Sequence, residues 1–243
     1  MAEYKEIHGT KIRNYTTNPD NPIVGEVWYN DTDNALKFEY PAETTVGSWR
    51  TGANLNQGRL GIMSAINGTY NAALGAGGNP GVSPEICDLT ELYDGTSWTE
   101  VNNLNSAREG GGGAGTQTAA LVFGGTRQSQ PPSGNQATTE SWNGTNWTEV
   151  GDLNTGRGGV GGTNDSYTNA LCFGGTGPSA KNEQWNGASW VELGDLNTGR
   201  FTVGGTGSTT AGLCFGGRTP GTPHSAVVEE WSGSSTITKV LTD

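Results

Sequence analysis

Four arginines and four glutamates recur in step along the chain: Arg59, Arg108, Arg157 and Arg200, then Glu91, Glu140, Glu183 and Glu229. Each arginine closes a repeated phrase, "GANLNQGR", "NNLNSAR" and "GDLNTGR" twice. A guanidinium presents a planar fork of donors that matches a carboxylate in bidentate fashion. The two series therefore admit two chemistries. One is a buried Arg–Glu bridge in every repeat. The other is a cluster of arginines gripping an acidic ligand. Recurrence in every copy favours the bridge, because a catalytic or ligand-binding group is needed once, whereas a structural unit stacked on copies of itself needs its joint each time.

Other reactive residues are sparse. The only histidines are His8 and His224, and neither has metal-ligand spacing to other His, Asp or Glu residues. His224 lies in "RTPGTPHSA" and reads as a solvated loop residue; a Ser–His–Asp triad built on it would lack a GxSxG elbow. "NDTDN" at Asn30–Asn34 is rich in oxygens but lacks the Gly and terminal Glu of a calcium loop, so it reads as a hairpin turn. "GTGSTTAG" lacks the Lys of a phosphate loop. "YDGTSW" resembles the Asp box of sialidases only superficially, its Asp–Gly spacing being one residue short. Cys87, Cys172 and Cys214 are odd in number and have no CxxC or CxxH neighbours, so the last two, at one place in two repeats, read as small buried apolar residues.

The elements that position these groups follow from the repeat. After the arginine comes a small, Gly-rich stretch. An apolar run then ends in a glycine pair: Gly77–Gly78, Gly124–Gly125, Gly174–Gly175 and Gly216–Gly217. Glu-x-aromatic-x-Gly follows, carrying Tyr93, Trp142, Trp185 and Trp231. A second indole stands five positions later at Trp98, Trp147 and Trp190, while the fourth copy has Thr236. Trp98 to Trp147 is 49 residues and Trp147 to Trp190 is 43, the difference falling in the Pro-, Ser- and Asn-rich segment after the glycine pair. The runs are short, β-branched or aromatic, and show no 3.6-residue stripe, so each repeat reads as four strands. "WNGTNW" predicts a tight hairpin at Asn143–Gly144, both residues tolerating positive φ. Four short strands at a period of 40 to 50 residues predict a propeller blade, with glycines on crowded inner strands and tryptophans packed between blades rather than stacking on sugars.

Composition bounds the function. In 243 residues the net charge is −11, which argues against a broad phosphate-contacting surface and hence against nucleic-acid binding. No apolar run approaches the roughly 18 residues of a membrane span, and "MAEYKEIHGTKIRNY" has no signal-peptide core, so no membrane insertion and no standard export are expected. With 41 glycines but eight tryptophans, the chain is expected to be ordered rather than of low complexity.

Gly124–Gly125, Trp142, Trp147, Leu153 and Arg157 together resemble the kelch repeat, and the resemblance runs from about Trp49 to Val240. It implies an all-β fold, a kelch-like β-propeller of four full four-stranded blades. It departs from the family pattern in its low blade number, in Ala76 where later copies have Phe123, Phe173 and Phe215, and in the missing last indole. Upstream, "VGEVWYNDTDNALKFEYPAETTVGSWRTG" resembles a hairpin segment of bacteriophage tail and fibre proteins through Gly25, Trp28, Tyr29, Leu36, Phe38 and Trp49. Its strands, "ALKFEY" and "GSWRTG", are candidates for a partial fifth blade. The expected organisation is an arm over residues 1–22 ending in a Pro-rich linker, the hairpin over 23–50, and the propeller repeats over 51–243.

The whole arrangement resembles kelch-like virion structural proteins of marine bacteriophages. That resemblance implies a non-enzymatic virion protein without cofactors, assembled in the host cytoplasm and carried on tail or fibre. It would dock on other virion proteins through its arm, act as a homo-oligomer, and bind a host-surface glycan. Candidate rim segments for adhesion are Asn79–Asp88, Thr126–Thr139, Thr176–Lys181 and Arg218–Ala226. A head-decorating protein is the near alternative. A carbohydrate-active enzyme is the alternative of another class, which would need paired carboxylates in a central pocket; Glu109 and Asp165 are its unpaired candidates. An intracellular kelch adaptor would be expected to carry a partner domain.

Overall fold

The computed structural model describes residues 12–19, 27–38, 49–65, 67–82, 86–127, 134–163, 165–222 and 224–233. The chain divides into two compact units, Met1–Thr51 and Gly52–Asp243. Every regular element among the described residues is a β-strand.

In the first unit β1 (Arg13–Tyr15), β2 (Val27–Asn30) and β3 (Ala35–Phe38) form a sheet in that order. β2 and β3 are the expected antiparallel hairpin, and Asn30 accepts the Thr32 and Asp33 backbone N–H groups (both 3.0 Å) to shape the NDTDN turn. β1 pairs in parallel with β2, so part of the 1–22 segment is a strand of the hairpin's own sheet. β3 pairs with β2, and residues 49–50 of "GSWRTG" are not in a strand. The rest of that segment, residues 39–48, lies outside the described residues.

The second unit is four consecutive antiparallel meanders. The first sheet is β4 (Met63–Ser64), β5 (Ala73–Ala76), β6 (Thr90–Tyr93) and β7 (Trp98–Val101). The second is β8 (Gly112–Thr116), β9 (Ala119–Phe123), β12 (Thr139–Trp142) and β13 (Trp147–Glu149), with β10 (Thr126–Arg127) and β11 (Gly134–Asn135) as a small ribbon in its long loop. The third is β14 (Gly161–Gly162), β15 (Ala170–Phe173), β16 (Asn182–Trp185) and β17 (Trp190–Glu192). The fourth is β18 (Gly204–Gly207), β19 (Ala211–Phe215) and β20 (Val228–Ser232); the place of its fourth strand, including Thr236, lies outside the described residues.

The inner strands of successive sheets pack side by side, β4 on β8, β8 on β14 and β14 on β18. Glycine makes this approach possible: a Cβ on Gly113 would sit 2.2 Å from the Ser64 carbonyl oxygen, and one on Gly205 would sit 2.6 Å from that of Gly162. Within each sheet the inner strand also yields volume to the second. Gly112, Gly161 and Gly204 lie directly opposite Phe123, Phe173 and Phe215, whose rings lie where a Cβ would be. The first sheet reverses the pair, with Met63 opposite Ala76. The apparent loss of the Phe at Ala76 is therefore a swap of large and small residues across one strand pair.

Two joints recur between neighbouring sheets. The second glycine of each pair donates its N–H to the arginine carbonyl of the next sheet: Gly78 to Arg108 (2.9 Å), Gly125 to Arg157 (2.8 Å) and Gly175 to Arg200 (2.8 Å). Two residues beyond each arginine, a second series links the sheets: Gly110 donates to Gly61 (2.9 Å), Gly159 to Gly110 (2.7 Å) and Thr202 to Gly159 (2.7 Å). These four residues share a left-handed backbone, with φ of 64°, 64°, 61° and 54°, which glycine adopts freely and β-branched Thr202 does not. Among the described residues neither series continues from the fourth sheet to the first.

Removing the Phe123 ring is expected to cost about 3–5 kcal/mol through the cavity it leaves. Adding Gly112→Met to Phe123→Ala should restore part of that loss, since it copies the Met63–Ala76 pair of the first sheet. Urea denaturation of the single and double variants measures both effects.

Candidate functional site

The recurring chemistry of the repeat sits inside each sheet. Arg108 Nη1 donates to Glu140 Oε1 at 2.7 Å, and Arg157 Nη2 to Glu183 Oε1 at 2.7 Å. Arg59 pairs in the same way with Glu91, and Arg200 with Glu229. All four guanidinium groups are buried. Each glutamate belongs to the third strand of its sheet, and each arginine ends the phrase that leads into the first. A third partner completes the unit. Asn56, Asn105 and Asn154, three residues before the arginine, each direct the backbone N–H and the side-chain amide to the second carboxylate oxygen, at 2.7–2.9 Å. The same amides donate to the carbonyls of Trp98, Trp147 and Trp190 (3.1–3.2 Å) and so tie the fourth strand in. In the fourth sheet the Asn197 backbone N–H takes this role (2.6 Å). The sequence reading singled out Arg and Glu and missed Asn, although its fixed place in "LNQGR", "LNSAR" and "LNTGR" carried the signal.

Burial pushes the Glu91 carboxyl up, but the Asn56 backbone N–H and the Arg59 guanidinium outweigh it and hold its pKa below the ordinary value. Burial lowers the pKa of Arg108 against the opposing pull of Glu140. With each arginine facing its own carboxylate inside its own sheet, the four do not converge on a shared ligand.

The indoles divide their work. Trp142, Trp185 and Trp231 donate to the carbonyls of Gln117, Tyr167 and Thr209 in their own sheets (3.0, 3.1 and 2.9 Å). Trp147 and Trp190 reach the preceding sheet, where Nε1 donates to Thr90 Oγ1 and Thr139 Oγ1 (both 2.9 Å), and Trp190 packs edge-on against Phe123 with centroids 4.8 Å apart. Trp142, Trp147, Trp185 and Trp190 are buried, while Trp98 and Trp231 are half-buried. Between the third and fourth sheets Asn182 stands where Thr90 and Thr139 stand, beside a cavity of about 70 Å³.

The hairpin turn differs from expectation. Trp142 pairs directly with Trp147, which leaves the four residues Asn143–Asn146 in the turn rather than two. Gly144 alone takes positive φ (92°). The Asn143 side chain instead accepts the Thr145 and Asn146 N–H groups (2.9 and 2.8 Å), and Asn186 and Asp94 do the same in the neighbouring sheets. The Thr96 hydroxyl and the Ser97 and Thr96 backbone N–H groups hold the exposed Asp94 carboxyl well below the ordinary range.

A cavity of about 160 Å³ is lined by all four inner strands or the residues beside them, among them Met63, Gly112, Gly161 and Gly205. No ionisable side chain lines it. Glu109 bridges to Thr126 beside the glycine pair, whereas Asp165 sits by the Ser166–Asn169 turn at the other end of the strands, so the two are not brought together. His224 is exposed beside Thr202, Gly217 and Arg218 at an open cavity of about 570 Å³; His8 lies outside the described residues. Cys172 is fully buried, and burial pushes its thiol up to about 12; Cys87 and Cys214 are buried and shifted upward for the same reason. Of the rim segments, residues 83–85, 128–133 and 223 lie outside the described residues. Tyr70 (90% exposed) and Tyr167 are exposed in the turns at the opposite end, carried by the related runs "GTYNAAL" and "DSYTNAL", which the sequence reading left unused.

Among the described residues no helix is long and apolar enough to cross a membrane, and no group of three or more His, Cys, Asp or Glu side chains is placed to hold a metal ion. In comparison with known proteins, no family model matches the chain and no curated protein matches it.

Arg157→Ala is expected to destabilise the protein by about 3–5 kcal/mol, because Glu183 is left buried without its cation. The Glu91 carboxyl, lowered in the folded state, contributes stability that is fully present above its ordinary value of 4.5 and is lost as pH falls through the folded value. Denaturant melts between neutral pH and pH about 3 should show that loss.

Proposed function

We propose that the chain is a non-enzymatic structural protein of a bacteriophage particle, built on an incomplete kelch-like propeller whose four sheets are the blades, and carried on the tail or its fibres. The observation that carries the reading is that the repeat's Arg, Glu and Asn are bound to one another within each blade, while its indoles donate to backbone carbonyls of their own blade or to threonine hydroxyls of the preceding one. What varies from blade to blade is the loops and turns at the two ends. Such an array presents interchangeable surface on a rigid frame, which suits assembly or adhesion. The resemblance of the Gly25–Trp49 segment to phage fibre hairpins, and of the repeats to kelch-like virion proteins, supplies the setting.

Adhesion to a host-surface glycan would fall to the loops after the glycine pairs and to Tyr70 and Tyr167, since an exposed phenol offers a flat apolar face with a polar edge. A head position would use the same frame and differ only in copy number.

Mass spectrometry of purified particles should find the chain at a defined copy number per tail or fibre. Its absence would overturn the virion reading, and a copy number matching the head lattice would move it to decoration. On a glycan array, Tyr70→Ala with Tyr167→Ala should weaken any binding by roughly tenfold, the effect of losing one or two stacking contacts.

A further inference from the structure

The array carries both halves of one unfilled joint. Each internal joint sets a sheet's forward face, with its second-strand Leu (joined by Phe in the second and third sheets) and its glycine-pair N–H, against one or two indoles and the arginine carbonyl of the next sheet. Phe123 and Phe173 are 0% and 4% exposed in such joints. On the fourth sheet Phe215 is 42% exposed and Val228, directly opposite it, is 55% exposed. β15 is buried along its whole length, whereas β19 alternates, with Gly212 and Cys214 buried and Ala211 and Phe215 exposed. One face of the last sheet is thus uncovered. The bond that would continue the series, from the Gly217 N–H to the Arg59 carbonyl, is not made among the described residues.

The matching half lies at the other end. The first sheet has an aromatic pair in the place of its successors' indole pairs, Tyr93 and Trp98 with centroids 5.1 Å apart against 5.2 and 5.6 Å for the buried pairs, yet both rings are only half-buried. Leu60, next to Arg59, is 66% exposed. In the third sheet the equivalent Gly158 lies against Gly125 and Thr126 of the second.

We propose that the forward face of the fourth sheet docks the first sheet of a second copy of this chain, head to tail. The second copy is the partner that presents this end, because three internal joints show that the one surface is built to receive the other. Val228 replaces the hydroxyl that accepts the indole N–H at Thr90 and Thr139, so this joint rests on apolar contact and the Gly217–Arg59 bond. A joint of this kind is heterologous: successive copies either close a ring or extend into a filament. The inference rests on the radial blade arrangement proposed above and not on a place in a virion, so association can stand even where particles lack the chain.

The test uses the full chain in sedimentation velocity, in a series up to about 100 μM. Wild type should sediment above its 25.3 kDa chain mass, and increasingly so with concentration. Val228→Arg and Leu60→Arg alter residues already exposed in the single chain, so each should fold and sediment as one chain. An equimolar mixture should give a species of twice 25.3 kDa and nothing larger, because each variant keeps one good end and the two good ends match. Wild type remaining a single chain throughout the series would overturn the proposal in favour of the chain covering its own face. A mixture that stays monomeric would show that the two ends do not join, and would overturn it equally.

Discussion

Neighbouring inner strands approach so closely that glycines such as Gly113 and Gly205 have no room for a side chain, and the rest of the array is organised around that approach. A methyl group at Gly113 would stand 2.2 Å from the Ser64 carbonyl oxygen, far inside van der Waals contact. Lacking side chains there, the inner strands contribute little apolar surface of their own, so burial comes from the second strand and from the indoles further out. The Phe opposite each inner glycine fills the volume that the glycine leaves, and the first sheet reaches the same packing with Met63 over Ala76. Backbone rather than side chains then joins the sheets near the centre, through the glycine-pair N–H and the left-handed residue after each arginine.

The polar groups follow from the same crowding. The phrase that leads into each inner strand must run past the middle of its own sheet, which buries an arginine. A buried guanidinium is tolerable only when paired and hydrogen-bonded. The glutamate supplies the charge and the asparagine fills the second carboxylate oxygen while tying the fourth strand. This explains why Arg, Glu and Asn recur as a set inside each sheet.

With the middle of the array fixed in this way, function is left to the ends. The strand ends carry loops of variable length and exposed tyrosines, and the two ends of the array carry an uncovered apolar face and its complement. A rigid frame with variable edges suits recognition and assembly, which is the physical argument behind the proposed structural role.

Much of this was legible in the sequence. The four repeats, the strand class, the glycine-rich inner strands, the buried cysteines and the Arg–Glu pairing all follow from side-chain type at fixed spacing, because the same local environment selects the same residue each time. The four-residue hairpin turn was not legible, since "WNG" is compatible with a two-residue turn until the register of Trp142 against Trp147 is known. Nor was the Met63–Ala76 swap, because a pair of compensating volumes looks like a lost motif when only one member is read. The role of Asn and the separation of Glu109 from Asp165 likewise depend on which strand ends meet. Sequence by itself determined the unit, because its residues answer to local periodicity; only the tertiary structure decided how the units meet and which faces stay uncovered, because those depend on the angle and approach of whole sheets.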